Sequence, residues 1–461
     1  MTSNIDSVTL IEAGLVPGRW FGKALAEANR ILAEGGSREN AIATALAMQP
    51  AAIVTLPLSD DARPYHRNIE AENELEIANL AKVDESMLEL LRTPVVRAGA
   101  IMPDACPAGP LGTIPVGGVV VSEGIHPGMH SADICCSMMI TVFKDADPKS
   151  LLDAVQAVTY FGPGGRPRGK QIRPSDGLME RFAANDLLTG ISSVAIEHLG
   201  TQGDGNHFAY VGTLKSTGET ALVTHHGSRG PGAKLYAKGM KLAERFRENL
   251  SPETLKQNAW IPADTADGDL YWEALQIIRA WTKENHEVIH DMAAASLGGS
   301  TTGRFWNEHN FVFRKSDGLF YHAKGATPAF DGWASDAGNL TLIPLNMSEP
   351  VLITRGCNAE NGLGFSPHGA GRNFSRTQHK RLHEGRSDED IFAAETIGID
   401  ARFFSGVIDI SELPSAYKDA TAVRRQIETF KLAEIVDEVL PFGAIMAGDW
   451  EKNAPWRRKR R

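Results

Sequence analysis

Five short stretches of the 461-residue chain carry side chains suited to holding metals or moving phosphates. They are SADICCSM with Asp133, Cys135 and Cys136; GTQGDGNHF with Asn206 and His207; VTHHGSRG with His225 and His226; NEHNF with His309; and PHGAGR with His368. The chain has 14 histidines, and those named here stand beside glycine, asparagine or a carboxylate rather than inside an apolar periodicity. A thiolate, a carboxylate and several imidazoles make a ligand set for one or two transition-metal ions. Sulfur and nitrogen favour zinc or a similar ion, and the carboxylate leaves manganese or iron open. The stretches lie too far apart for a zinc-finger spacing, so only a fold can bring them together.

Two of these stretches are also rich in glycine. In HHGSRGPGAK the glycines free backbone amides to approach an anion, Arg229 offers a two-pronged fork, and a helix is expected to follow. That is the composition of a phosphate cradle, and equally of an ordinary strand-to-helix turn. PHGAGRNFSR repeats the recipe with His368, Arg372 and Arg376, and two such loops point to a phosphorylated substrate. A histidine among phosphate-binding amides can be a metal ligand, a general acid, or a nucleophile that forms a phosphoramidate. Side-chain chemistry alone does not choose among the three.

Composition sets the frame for these groups. A 42% hydrophobic chain of this length can bury one large core or two ordinary ones, and it reads as a soluble globular protein. No apolar run approaches a membrane span, and the start MTSNIDSVTLIEAG lacks a secretory pattern, so no membrane partner and a cytoplasmic location are expected. Four cysteines make no disulfide framework. The net charge of −10 argues against nucleic-acid binding by a generally basic surface, so any such contact must be local. The terminal run Trp456 to Arg461, WRRKRR, is one local patch.

The elements that must position the five stretches are partly legible. GRWFGKALAEANRILAEGG and AENELEIANLAKVDESMLELLR have apolar residues at three- and four-residue spacing and predict helices ending at Gly35-Gly36 and before Pro94. From Ala98 to Phe143 the texture turns to glycine, proline and β-branched residues, which predicts strands and tight turns. AKLYAKGMKLAERFRENL and LYWEALQIIRAWTKENHEVIHDMAAAS predict long helices; NFVFRKS, LFYHAKG, LTLIPL and EPVLITRG predict short strands; a last helix is expected near Thr421–Ile435. The fold class is α/β: one large mixed catalytic body over 98–448, a helical N-terminal segment over 1–97, and a basic tail over 449–461.

In chain order, MPD, ADICCSM, LGTQGDGNHF, HHGSRG, EHNF, HAKGATPAF, LIPLNM, HGAGR.FSR and AYKD resemble the motifs of the RtcB family of RNA ligases, over roughly Ile101 to Gly448. That family seals 2′,3′-cyclic phosphate or 3′-phosphate RNA ends to 5′-hydroxyl ends in repair and splicing. The resemblance implies an RtcB-type catalytic body in which Asp133, Cys136, His207, His225 and His309 hold two manganese ions, Cys136 bridging them, with zinc or another divalent ion as the alternative. It implies that His368 attacks the α-phosphate of GTP to form a covalent histidine-GMP. Nucleotide contacts are implied for Asn206, His207, Asn310, Pro344, Leu345, Asn346, Met347, Gly369, Ala370, Gly371 and Tyr417. The implied partners are GTP and RNA with broken ends; the resemblance names no activating or repair protein.

The chain also departs from the family's motifs. The family's glutamate three residues after the NHF histidine is Tyr210, its MPDxH histidine is Cys106, and DIGCG has become DICCS. Where the family ends in a lysine-glycine pair that contacts the guanylate, this chain has Ala447 before Gly448. Two other readings follow from such losses: a metal-dependent phosphatase or phosphodiesterase acting on RNA ends, and a non-catalytic RNA-binding relative.

Overall fold

The computed structural model describes residues 4–18, 20–49 and 55–450. It resolves into two compact units, Met1–Thr55 and Leu56–Arg461. The boundary falls inside the segment 1–97 expected to form one helical extension. The residues 451–461, which include the basic run Trp456 to Arg461, lie outside the described residues.

Among the described residues the first unit has three helices, Ser7–Glu12, Phe21–Ala33 and Arg38–Ala47. Asp6 and Ser37 cap the first and third by accepting from the amides of Thr9 and Asn40, which satisfies donors that a helix start leaves unpaired. Ala24, Ala28, Ala41 and Ala45 are fully buried with Leu10, Leu15 and Leu32. Their small side chains let the helices approach closely.

The second unit begins with a strand, Tyr65–Arg67, and the helix Glu74–Leu90. That helix buries Leu80, Val83, Met87 and Leu90 against Val96, Ile101 and Val120 of the strands beside it. These strands belong to a five-stranded sheet in the order Tyr65–Arg67, Val96–Cys106, Val116–Ser122, Phe320–Lys324, Asn310–Arg314. A larger sheet runs Thr301–Glu308, Ser137–Phe143, Thr220–His226, Phe208–Leu214, Ala433–Met446, Val351–Gly356, Leu340–Pro344, with Asp400–Phe403 paired in parallel to the 433–446 strand. The other pairings along it are antiparallel.

The 220–226 strand is buried at every residue. Apolar clusters cover the sheet: Leu151, Leu152 and Val155 from the helix Pro148–Val158 in one, Leu342, Met347, Ile391 and Leu413 in another. The 32-residue helix Ala266–Leu297 starts at a Thr265 cap and stops at Gly298, whose positive φ a side chain would strain. It carries the buried Trp281 and Tyr271. No helix among the described residues is long and apolar enough to cross a membrane.

The predicted last helix is shorter than the spacing suggested. It spans Ala420–Thr429, Lys431 takes a positive φ, and Ile435 lies in the 433–446 strand. The β-branched Ile435 and Val439, paired with Thr354 and Val351, override the helical reading up to Ile435.

Candidate active site

Sheet register explains how distant residues meet. In the larger sheet Glu308 pairs with Ser137, Ser137 with His226, and Phe208 with His225. Because neighbouring strands run in opposite directions, this places His309 after one strand end, Cys136 before the next start, His225 at an end and His207 before a start. All four therefore sit on one edge of four adjacent strands. Asp133 enters from the turn leading to Cys136, where the Cys135 amide donates to the Asn310 carbonyl at 2.7 Å. Cys135 stands at φ 57 in this turn, a conformation that favours glycine, and its side chain is fully buried in the core.

Two donor groups form, Cys136 with His225 and His309, and Cys136 with Asp133 and His207, each with its ligand atoms within 4.8 Å of one another. Cys136 Sγ is common to both, 3.2 Å from His225 Nε2 and 3.6 Å from His207 Nε2. His207 Nε2 is also 3.0 Å from Asp133 Oδ2. The His225 Nδ1 faces the Asn206 carbonyl at 3.2 Å and so carries the ring proton, which turns the Nε2 lone pair toward His309 Nε2 at 3.1 Å. Lone pairs converging in this way leave room for a cation rather than a proton.

The electrostatics fit that reading. Burial lowers His225 and His309 well below the ordinary imidazole value, so both are neutral, the form that coordinates metal. Burial, reinforced by Asp133, raises the Cys136 thiol well above its ordinary value. A bound cation would restore the thiolate.

A separate two-stranded pairing, together with Asp104 from the five-stranded sheet, supplies the other wall. His368 follows the short strand Phe365–Pro367, which pairs with Ala326–Pro328. Its ring centroid is 4.8 Å from that of His309. Its Nδ1 lies 2.6 Å from Oδ2 of Asp104, a fully buried carboxylate that also accepts from the His368 amide at 3.2 Å. A carboxylate accepts only, so the proton sits on Nδ1 and the Nε2 lone pair is left free of any protein partner among the described residues. Gly325, at φ +63, lets the two walls close: a Cβ there would lie 2.8 Å from His368 Cε1.

Between the walls is a pocket of about 400 Å³ lined by Asp133, Asn206, His225, Asn310, Pro344, Leu345, Asn346, Met347, His368, Gly369, Ala370, Gly371 and Tyr417. It thus joins the nucleotide-contact residues expected from the sequence, except His207, to two of the donors. Cys136, His207 and His309 do not line it, but each contacts Asp133 or His225, which do. Cys106 and Tyr210 line it as well, whereas Ala447 is fully buried in an apolar cluster with Leu152 and Ile445. Arg229 does not line it: its guanidinium bonds the Gly162 carbonyl at 2.7 Å and the Thr201 hydroxyl at 3.3 Å. The first glycine loop is therefore tied back into the protein, and the second faces the pocket.

Sequence reasoning did not single out Asp104, Lys324 or Glu412. Asp104 stands in MPD and Lys324 in HAKG, inside quoted motifs, yet neither spacing nor composition pairs Asp104 with a histidine 264 positions away. Lys324 lines the pocket and burial lowers it to about 8. His286 and Asn285, on the apolar-looking 266–297 helix, brace the site from behind. His286 contacts the Ser137 and Thr224 hydroxyls at 3.0 and 2.7 Å, and Asn285 Oδ1 accepts from the Gly200 amide at 2.6 Å.

A family model described as tRNA-splicing ligase RtcB matches residues 168–447. The RNA-splicing ligase RtcB of Escherichia coli (strain K12) is 29% identical over 360 residues, covering 70% of this chain and 84% of the relative. The tRNA-splicing ligases RtcB of Archaeoglobus fulgidus and Aeropyrum pernix are 27% and 28% identical, over 71% and 54% of this chain and 84% and 59% of their own. With the family model spanning more than half of its length, the chain belongs to the RtcB family.

Proposed function

We propose that the protein is an RNA ligase that joins 2′,3′-cyclic phosphate or 3′-phosphate ends to 5′-hydroxyl ends, in RNA repair or splicing, through a covalent His368–GMP intermediate. The observation that carries this is the His368 imidazole, held by Asp104 with its free Nε2 in a pocket beside the donor cluster. The names of the relatives support the substrate class.

Asp104 fixes the tautomer, so Nε2 is the nucleophile. It attacks the α-phosphate of GTP: the Nε2–P bond forms, the bond from phosphorus to the bridging oxygen breaks, and pyrophosphate leaves. As Nε2 gains the phosphoryl group the ring becomes cationic, and the Asp104 carboxylate against Nδ1–H stabilises that charge. Lys324 and the backbone of Gly369–Gly371 face the phosphates. Asp133, Cys136, His207, His225 and His309 would hold two manganese ions, which when bound offset phosphate charge. Asn206, Asn310, Pro344–Met347 and Tyr417 surround the nucleoside. A 2′,3′-cyclic end is first opened by water to a 3′-phosphate; the guanylate then passes from Nε2 to an oxygen of the RNA 3′-phosphate, freeing His368, and the 5′-hydroxyl attacks that phosphate and displaces GMP to close the strand.

Incubation with α-labelled GTP and manganese is expected to label the protein, and His368→Ala to abolish the label. Absence of label with every nucleotide tested refutes the reading.

A further inference from the structure

Resting on the nucleotidyl-transfer reading above, we propose that the pocket does not select guanine, and that ATP serves as nucleotide donor at least as well as GTP. Guanine differs from adenine at the edge that carries N1–H and the N2 amino group, two donors that need acceptors, together with the O6 acceptor. Two carboxylates line the pocket, Asp133 and Glu412. Asp133 is engaged with His207 in the donor cluster. Glu412, 2% exposed, already accepts from Arg376 Nε at 2.6 Å, the Tyr417 hydroxyl at 2.6 Å and Arg372 Nη1 at 3.3 Å. Asp133 thus belongs to the donor cluster, and each Glu412 oxygen already accepts a bond from an arginine or the tyrosine.

The pocket wall formed by the 208–214 and 433–446 strands is apolar. Phe208 lies tilted against His225, with ring centroids 5.2 Å apart, and Tyr210 lies two residues, roughly 7 Å, further along the same strand, away from the donors. Ala444 and Met446, paired with Tyr210 and Phe208, line that wall with Met347 and Val351. The Tyr210 hydroxyl donates to the Val439 carbonyl at 3.0 Å and lies 3.2 Å from the Glu349 carbonyl, so the base meets its ring. Asn346, which lines the pocket, accepts at Oδ1 from the Ser348 amide at 2.9 Å, which leaves its amino group as the donor it can offer a base. A donor there pairs with the ring nitrogens of adenine as well as with any acceptor on guanine. Arg372 is committed to Glu412, Ser411 and Phe374, so it does not read O6. Selectivity of 10⁴-fold or more comes from sites built to pair the distinguishing groups, and an apolar wall reaches only about 10²-fold.

The covalent step balances identically for both nucleotides: Nε2 of His368 gains the nucleoside monophosphate and pyrophosphate leaves. The test compares α-labelled ATP, GTP, CTP and UTP at equal concentration with manganese, alongside equilibrium binding of AMP and GMP to the full chain. ATP is expected to label at a rate equal to or above that of GTP, with the two dissociation constants within about threefold. Labelling or binding that favours guanine by 30-fold or more overturns this proposal and leaves the ligase reading intact. No label from any nucleotide overturns both. Tyr210→Glu, which adds an acceptor to the apolar wall, is expected to move the ratio toward GTP by tenfold or more; an unmoved ratio in a folded variant counts against the assigned base position.

Discussion

Replacing Asp104 by asparagine tests the arrangement of the proposed nucleophile, His368, directly. The carboxylate is fully buried and its Oδ2 serves both the Nδ1 and the amide of His368. A carboxamide keeps the shape but has one acceptor oxygen and one donor nitrogen. With that oxygen at the Oδ2 position it still accepts from both Nδ1–H and the backbone amide, so the tautomer holds while the negative charge opposite the ring is lost. A charge-assisted bond of this kind contributes about 1.5–3 kcal/mol, and the charge stabilises the cationic ring that forms as Nε2 is substituted. Single-turnover labelling by nucleotide is therefore expected to slow by about 10–150-fold, equivalent to roughly 1.5–3 kcal/mol of barrier. Thermal stability should stay near the parent value, because the other carboxylate oxygen has no partner to lose. Metal content should also hold, since Asp104 belongs to neither donor group. A folded Asp104→Asn protein that labels within tenfold of the parent refutes the assigned role.

Three further outcomes follow from the geometry. Gly325→Ala places a Cβ 2.7 Å from Val116 Cγ1 and 2.9 Å from His368 Nδ1 at a positive φ, so labelling is expected to fall by at least about 100-fold while elemental analysis shows the metal retained. Cys136 is shared by both donor groups and His309 belongs to one. Cys136→Ala should therefore strip nearly all manganese, whereas His309→Ala should keep roughly one ion per chain; equal loss from both, measured after dialysis, contradicts separate groups. Glu438, bonded by Arg424 at 2.7 and 3.2 Å and by Lys215 at 3.1 Å, is held down to about 2 by Arg424 first. Its folded value lies below its unfolded one, so its contribution is complete above about pH 4.5 and is lost as pH falls toward 2. Glu438→Gln should lose about 1–3 kcal/mol at pH 7, and the difference from the parent in denaturant unfolding should shrink below pH 4.

Much of this site was legible because its chemistry is concentrated. Asp133, Cys136, His207, His225, His309 and His368 stand in glycine-rich stretches where a packing role explains little, and the helices 21–33, 74–90 and 266–297 announce themselves by apolar spacing and end signals. Strand order was not legible. Nothing local says that 301–308, 137–143, 220–226 and 208–214 lie side by side, and that order is what gathers four ligands on one edge. Nor could Asp104 be assigned, since its partner comes from the far end of the chain, or Asn285 and His286, whose helix buries polar groups at positions where periodicity predicts apolar ones.

The departures from the family's motifs fall where the fold tolerates them. The ligands are pinned by sheet register and by backbone bonds such as His309 N–H to the Cys136 carbonyl, so a change at one shifts the others. Cys135 in place of a glycine costs local strain at φ 57, offset by burial of its side chain in the core. Tyr210 occupies a pocket-facing position on the 208–214 strand, where an aromatic suits the pleated surface and its hydroxyl finds backbone acceptors. Ala447 packs among apolar side chains without contributing to the pocket wall. Tyr210 is thus the changed position on the wall proposed to meet the base, whereas Cys106 and Cys135 stand near Asp104 and the donor cluster, where His368, Asp104 and all five donors are kept. With the proposed reacting atoms retained, the chemistry can persist under a different choice of nucleotide, and measuring that choice tests the two parts of the pocket separately.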